Sequence, residues 1–460
     1  MDVTRQKTQL PLAFDTLKAS ETRRDVPQGI ETSMATGAPE RPASTTLMEE
    51  VCERENLKQA LRRVRRNKGS AGIDGMTVEQ LPTYLKEHWP TIRTQLLEGT
   101  YRPQPVRRVE IPKPDGGRRK LGIPTALDRF IQQAVLQVLQ RDWDRTFSEQ
   151  SYGFRPHRSA HQAVARAQRY IAEGFRWVVD IDLEKFFDRV NHDMLMGQVA
   201  KRVADTRLLT LLRAYLNAGV MEHGLVSPTD EGTPQGGPLS PLLSNLVLDD
   251  LDRELARRGH HFVRYADDCN IYVRSARAGQ RVMKSITTFI TRRLKLTVNQ
   301  AKSAVARPVA RKFLGFSFTT GQRPKRRIAP KALTRCQARI RRMTRRTRGV
   351  SLQQMVDELA TYLTGWRGYF GYCETPSVLL ALDSWLHRRL RCAAWKHWKR
   401  GPRRFAELRR LGVGQDLAAQ TAGSPHGPWR ISRSPALSFA FPGAYFDSLG
   451  LPRLSARPGA

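Results

Sequence analysis

Two strand-like segments of this chain carry carboxylates where an apolar interior tolerates them least. VVDIDLEKFFD at 178–188 and FVRYADDCNIYV at 262–273 are rich in β-branched and aromatic residues, the composition of half-buried strands. Asp180 and Asp182 sit where the first strand ends, and Asp267 and Asp268 at the tip of a predicted hairpin. Burying a carboxylate costs free energy unless something positive accompanies it. The second segment offers only Arg264, with Arg274 just beyond it. Taken alone, the Asp267–Asp268 pair reads as a turn, because Asp is a common turn residue. Taken with Asp182, 85 residues earlier, it reads as half of a site assembled from two strand ends.

Between the two segments lies GTPQGGPLSPLLSNLVL, 232–248, a Gly/Pro-rich loop that opens a helix. Such a loop lets backbone approach a ligand closely. Carboxylates from separate strand ends, brought together, form an oxygen-rich site for hard divalent cations. Mg²⁺ suits one or two carboxylates completed by water and substrate phosphates. A pair of such ions would activate a 3′-hydroxyl and neutralise a pyrophosphate leaving group.

Charge points to the partner. The chain has 78 Lys and Arg against 43 Asp and Glu, a net +35, and a field of that size calls for a polyanion, nucleic acid first. Twelve basic residues and no acid occupy 323–348, with Arg335, Arg339, Arg342 and Arg346 spaced for one helical face. A second block, 388–410, holds ten, with Trp395 and Trp398 among them. Two such blocks repel themselves unless a polyanion neutralises them, so both read as a grip on nucleic-acid backbone. Five scattered cysteines without a CxxC pair argue against a zinc ribbon or a disulfide framework and fit a reducing cytosol. No membrane span is expected, since no run of eighteen apolar residues occurs, and the start lacks the layout of a signal peptide.

The chain divides by composition. Residues 1–45 read as a flexible leader. Helices are predicted over about 47–66, 77–97 (ended by Gly99), 127–145, 159–173, 205–218 and 280–294, with another opening from the 232–258 loop. YRPQPVRRVEIPKPDGGRRKLGIPT predicts two strands joined by a Pro-Asp-Gly-Gly turn, and KFLGFSF at 312–318 one more strand.

YADD on its hairpin, DIDLEKFFD before it, TPQGGPLSPLLSN between them and FLGF after them together resemble the reverse transcriptases encoded by group II introns. NKGSAGIDGMTVEQL is similar to that family's N-terminal extension, IPKPDGGRRKLGIPT to its fingers and SYGFRPHRSAHQAV to its insertion between fingers motifs. LTGWRGYFGYCE and LDSWLHRRLRCAAWKHWKR resemble its maturase, or thumb, domain. The likeness runs over roughly 50–450, in the family's order, and is nearest to the compact class without an endonuclease domain.

The resemblance implies an α+β fold: a right-hand polymerase with fingers and an antiparallel palm sheet over 46–320 (N-terminal extension about 46–100). An all-α thumb/maturase domain over 325–412 and a DNA-contacting segment at 413–460 would follow. It implies that Asp182, Asp267 and Asp268, with the Leu183 carbonyl, hold two Mg²⁺ ions, with Mn²⁺ as a substitute, and that Asp180 is structural. Lys113 and Arg119 would hold the incoming triphosphate, Phe187 exclude a 2′-hydroxyl, Gln235 line the nucleotide pocket, and Lys302 lie near the leaving pyrophosphate. Phe313, Leu314 and Gly315 would form the primer grip, while Arg335, Arg339, Arg342 and Arg346 bind RNA. The implied activity is RNA-directed DNA synthesis on intron RNA, with maturase assistance to splicing, in the service of retrohoming in a bacterial cytoplasm. Intron RNA, target DNA, primer and deoxynucleoside triphosphates (dNTPs) would be the partners. Two alternatives stand beside it: a domesticated reverse transcriptase in DNA repair or phage defence, and a non-catalytic RNA-binding splicing factor. The three aspartates speak against the second, and Phe187 against an RNA-dependent RNA polymerase.

Overall fold

A computed structural model describes residues 46–112, 116–222, 225–227, 232 and 236–456. The expected leader at 1–45, Lys113 and Gln235 lie outside the described residues. In chain order the strands are β1 (Val106–Pro112), β2 (Arg118–Ile123), β3 (Trp177–Ile181), β4 (Val220–Glu222), β5 (Leu225–Ser227), β6 (His261–Tyr265), β7 (Asp268–Val273), β8 (Ala304–Ala306), β9 (Phe316–Phe318) and β10 (Arg326–Ile328). They form an α+β fold of three sheets among these residues, followed by an all-helical region.

The central sheet has the order β6-β7-β3-β8 and is antiparallel throughout. Side chains alternate between its faces, as the pleat requires. Val179, Ile181, Phe262, Ile271 and Val273 join the larger core, with helices Ala126–Trp143, Ser240–Arg257 and Ala276–Arg293. Val178, Val263 and Tyr272 point the other way, into a smaller cluster with helix Ala160–Ala172 and Phe313, Phe316 and Phe318. Asp180, Asp182 and Asp268 fall in the alternation of this second face, at the end of the sheet. A second sheet, β2-β1-β4-β5, is built on the predicted 106–123 hairpin, with β4 parallel to β1.

Helical layers flank the sheets. The predicted 47–66 helix is two, Leu47–Val51 and Arg54–Arg66, because the Glu53 carboxylate accepts the Asn56 N–H at 2.9 Å and starts a new helix. Helix Leu81–Glu98 ends at Gly99, whose left-handed backbone (φ 73°) is the expected glycine stop. Asp205 joins two of these helices: it accepts the N–H groups of Arg207 and Leu208 at the start of Thr206–Asn217, and that of Met48 at 3.0 Å in Leu47–Val51.

The C-terminal region is all helix: Pro330–Met343, Leu352–Phe370, Pro376–His397, Gly401–Arg410, Gln415–Ala422 and three shorter helices to Ser448. Residues 413–456 do not stand apart from 325–412; Val413, Ile431, Leu437, Phe441, Phe446 and Leu454 share one apolar core with Leu386, Leu390 and Trp395.

Three expectations are corrected. KFLGFSF is not a strand throughout: Phe313 and Phe316 exchange backbone hydrogen bonds at 2.8 and 2.9 Å across Leu314 and Gly315, both at positive φ, so a tight turn precedes β9. Arg346 does not share a helical face with Arg335, Arg339 and Arg342. The helix stops at Met343, where the Thr344 hydroxyl bonds back to the Ile340 carbonyl at 2.7 Å. The second basic block is partly structural: Arg388 lies 3.8 Å over the Trp429 ring, Arg389 donates to Thr344 and Arg391 to the Phe441 carbonyl.

Asp205→Ala should remove about 2 kcal/mol of stability, since three buried or half-buried N–H groups lose their acceptor. Burial pushes the Asp205 carboxyl up, but Arg207 and the Met48 N–H outweigh it, so its pKa lies below the ordinary value. A depressed carboxyl stabilises the fold above its unfolded pKa and loses that contribution as pH falls through the folded one. The melting-temperature gap between wild type and variant should therefore be full at pH 7 and close below about pH 4.

Candidate active site

The hairpin β6–β7 turns through two residues, Ala266 and Asp267, with Tyr265 paired to Asp268 and Ala266 in left-handed backbone (φ 56°). Its shape is set from beneath by Arg264, which is completely buried. All five guanidinium hydrogens are used. Nε and Nη2 bind the Asp252 carboxylate at 2.8 and 2.6 Å. Nη1 binds Asn245 Oδ1 and the Ala266 carbonyl, both at 3.0 Å, and Nη2 also binds Ser151 Oγ at 2.8 Å. Burial alone would weaken the charge on Arg264, but Asp252 outweighs it and raises the guanidinium pKa. Arg264 is thus the partner of Asp252, and the hairpin aspartates must find their counter-charge elsewhere.

β3 pairs with β7 in the register Asp180↔Asn270 and Ile181↔Cys269. The register ends there, so Asp182 leaves β3 at the same end of the sheet as the hairpin tip and acts electrostatically on Asp267 and Asp268. The segment is held from its other side: Asn299 N–H donates to the Asp182 carbonyl and Glu184 N–H to the Thr297 carbonyl, both at 2.8 Å, while the Asp182 N–H donates to Ser303 Oγ at 3.0 Å. In an antiparallel pair alternate residues face the partner, so the Leu183 carbonyl points away from 297–299, toward the hairpin tip.

The carboxylates act on one another. Asp268 is pushed well above the usual carboxylate range, first by burial and then by Asp180, Asp267 and Asp182, with Lys312 opposing. Asp267 is raised by burial and by Asp182, and pulled down by Arg119 and Arg264. Asp180 is raised by burial against the pull of Arg311, whose Nε lies 2.8 Å from its Oδ2. Asp182 has Lys302 Nζ at 3.5 Å, the lysine side chain largely open to solvent and the aspartate partly so. Among the described residues, no group of three or more His, Cys, Asp and Glu is gathered tightly enough to hold an ion unaided. Mg²⁺ asks for only one or two carboxylates when phosphates and water complete its shell. The donors therefore fit an ion that arrives with a nucleotide.

Several expected neighbours border this cluster. Arg118 is taken by Glu110 at 2.7 Å, whereas Arg119, next in β2, acts electrostatically on Asp267. The half-buried Phe187 ring meets Phe186 edge-on at 5.2 Å. The glycine loop runs close to it: a Cβ on Gly232 would lie 2.8 Å from the Phe187 carbonyl oxygen, and one on Gly236 2.4 Å from that of Gly122 in β2. Only glycine fits either contact. The turn at Phe313, Leu314 and Gly315 is held by Tyr369, whose hydroxyl donates to the Leu314 carbonyl at 2.7 Å. Arg335, Arg339 and Arg342 sit on helix Pro330–Met343, in the separate core of the helical region.

Four residues of this architecture escape a sequence reading. Arg311 reaches Asp180 across 131 positions, and Tyr369 reaches Leu314 across 55; no local pattern announces either. Asp252 lies in an ordinary-looking helix, and Asn245 in the glycine-loop motif. The one available signal was Arg264 itself, a basic residue inside an apolar strand.

Comparison with known proteins agrees with this geometry. Residues 111–318 match the family described as reverse transcriptase (RNA-dependent DNA polymerase), and 333–412 match the group II intron, maturase-specific domain. Protein YkfC of Escherichia coli (strain K12) is 39% identical over 218 residues, covering 46% of this chain and 57% of that protein. The group II intron-encoded protein LtrA of Lactococcus lactis subsp. cremoris is 39% identical over 188 residues, covering 41% of this chain and 31% of LtrA. The chain thus spans less than two thirds of either relative.

Arg264→Leu should cost about 3–5 kcal/mol, because Asp252 is left buried and unpaired. The double variant Arg264→Leu/Asp252→Leu should recover most of that loss. Thermal or denaturant unfolding of the three proteins checks it; a double variant no more stable than the single would mean that the charge on Asp252 is not the cause.

Proposed function

We propose, for a chain that belongs to the reverse transcriptases by its 111–318 domain and to the group II intron maturases by its 333–412 domain, an RNA-directed DNA polymerase. It copies intron RNA into DNA and assists the splicing of that RNA, the two activities of retrohoming. The observation that supports the reading is the register of β3 on β7, which runs to Ile181↔Cys269 and so leaves Asp182, Asp267 and Asp268 at one end of the sheet.

Asp182, Asp267 and Asp268, with the Leu183 carbonyl, would hold two Mg²⁺ or Mn²⁺ ions. Such ions supply the charge that activates a primer 3′-hydroxyl and stabilises departing pyrophosphate. The chain's own residues do the rest. Arg119 offers a planar fork to the triphosphate, and the resemblance adds a point charge from Lys113. Phe187 closes the space a 2′-hydroxyl would need, and the resemblance adds Gln235 as a nucleotide contact. Lys302 neutralises Asp182 when no ion is bound; as an exposed pair this is worth about 0–1 kcal/mol, little enough for a divalent ion to displace. Its ammonium is then available to donate a proton toward pyrophosphate. The turn at Phe313, Leu314 and Gly315 bears on the primer.

The maturase role rests on helix Pro330–Met343, whose Arg335 and Arg342 are exposed and Arg339 half-exposed. A helix of one charge sign with no acid in it suits the phosphates of a folded RNA.

Asp267→Ala should abolish extension of a DNA primer on an RNA template while leaving RNA binding unchanged; continued synthesis would remove Asp267 from the reacting centre. Phe187→Ala should raise ribonucleotide incorporation, read as a lower ratio of deoxynucleotide to ribonucleotide kcat/KM. Replacing Arg335, Arg339 and Arg342 by Ala should weaken RNA binding and lower the slope of log Kd against log salt by about two to three. Unchanged slope would mean that this helix does not touch phosphate.

A further inference from the structure

Among the described residues the exposed large apolar side chains are Phe154, Leu380, Trp429 and Phe439. Trp429 carries the Arg388 guanidinium on its face. Phe154 differs from the others in its place: its ring lies 6.3 Å from that of Tyr265, two residues before Asp267. It is 47% exposed and adopts left-handed backbone, φ 59°. A bulky L-residue in that region is destabilised relative to glycine, and an exposed ring gains little packing in return.

The chain is held firmly on both sides of this strained residue. A Cβ on Gly153 would lie 2.3 Å from the Ala266 nitrogen, so the backbone there rests directly on the hairpin. Asn245 Nδ2 donates to the Gly153 carbonyl at 2.9 Å. On the other side Arg155 is buried, with Nε 2.8 Å from Asp144 Oδ1 and further bonds to the carbonyls of Ser148, Ser151 and Asp144. Asn245 is shared with the Arg264 network. The scaffold that aims Asp267 therefore also fixes the segment presenting Phe154.

Position identifies the occupant. Tyr265 belongs to β6, the outer strand, with β7 between it and β3. Tyr265 packs in one apolar cluster with Phe313, Leu314 and Phe316, the turn that the proposed function sets against the primer. The β6 flank leads on toward helix Ala160–Ala172, where the His161 ring nitrogen meets the Tyr369 carbonyl at 2.8 Å. The strand already made would lie against that turn, so it belongs on this flank of the hairpin. We infer that Phe154 is an apolar platform on which the growing end of the RNA–DNA duplex rests beside the hairpin tip, fixing the duplex before each addition. An aromatic face is suited to this, because sugars and base faces offer it the same apolar contact whatever the sequence.

This inference rests on the polymerase reading, and the two can fail separately. The full chain and its Phe154→Ala, Phe154→Tyr and Phe154→Gly variants would be assayed with a labelled RNA template annealed to a DNA primer. Fluorescence anisotropy reads Kd, and primer extension reads KM for dNTP and product length. Phe154→Ala should raise Kd by about ten-fold and shorten products, with KM for dNTP and the salt slope of Kd unchanged. Phe154→Tyr should restore both Kd and product length. Phe154→Gly should bind as poorly as Phe154→Ala while melting at a temperature no lower than wild type, because strain is relieved. A Kd for Phe154→Ala within about two-fold of wild type, where stacking predicts a larger loss, would overturn the inference, as would an equal loss in Phe154→Tyr. Wild-type protein that binds the hybrid but extends no primer would overturn the polymerase reading instead.

Discussion

The buried pair of Arg264 and Asp252 is the interaction on which the rest of this site depends. Removing two charges from water is costly, and such a pair persists only when every remaining donor is satisfied. Here the five guanidinium hydrogens reach Asp252, Asn245, Ser151 and the Ala266 carbonyl. Three stretches of chain are thereby fixed to one planar group: the 150–153 segment, helix Ser240–Arg257 and the hairpin itself. Bonds from Tyr152 N–H to the Arg264 carbonyl and from Arg264 N–H to the Gln150 carbonyl, both at 2.9 Å, complete the tie. A lysine could supply the charge but not the fork.

That arrangement has an electrostatic consequence. Because Arg264 is spent on Asp252, the carboxylates above it retain their mutual repulsion. Arg311 relieves Asp180 alone, and Lys302 meets Asp182 only through an open, exposed pair. Asp267 and Asp268 are left with raised proton affinity and distant cations. The fold thus gathers carboxyl groups at the end of the sheet where each raises the proton affinity of the others, and where a cation would relieve them in place of a proton. Asp180 and Asp182 divide along the same line: one is closed by a half-buried arginine, the other paired with an exposed lysine.

The sequence shows most of what local patterns control. Helix Ala160–Ala172 begins at the Ser159–Gln162 capping box, Gly99 ends its helix, and the carboxylates stand at strand ends where the period-2 pattern breaks. It hides what distant residues decide. Leu314 is a poor residue for left-handed backbone, so KFLGFSF reads locally as strand; Tyr369 and the Phe370 ring beside Gly315 hold the turn from another helix. Glu53 interrupts a helix whose apolar spacing continues across the break. Charge runs give the sign of a surface but not its use, which is why Arg388, Arg389 and Arg391 read as nucleic-acid contacts although Arg388 and Arg391 bind the Trp429 and Phe441 carbonyls and Arg389 binds Thr344.

The joint between sheet and helical region follows from the same economy of residues. Tyr369 gives its hydroxyl to the Leu314 carbonyl and its carbonyl to His161, and lies close enough to Asp268 and Tyr265 for their charges to help burial in raising its pKa. Five residues on, Glu374 accepts from Gln168 and from the Arg326 N–H. The end of helix Leu352–Phe370 therefore touches the turn at Phe313–Phe316, the Ala160–Ala172 helix and β10 together. Beside these hydrogen bonds, the His161 ring stacks on Tyr369 and Tyr372, and Tyr369 and Phe370 pack on the cluster around Phe313 and Phe316. The sheet and the helical region are thus joined at this one helix end. A duplex between the two would be gripped at the turn and at the hairpin at once, and the spacing of those grips is set by one tyrosine.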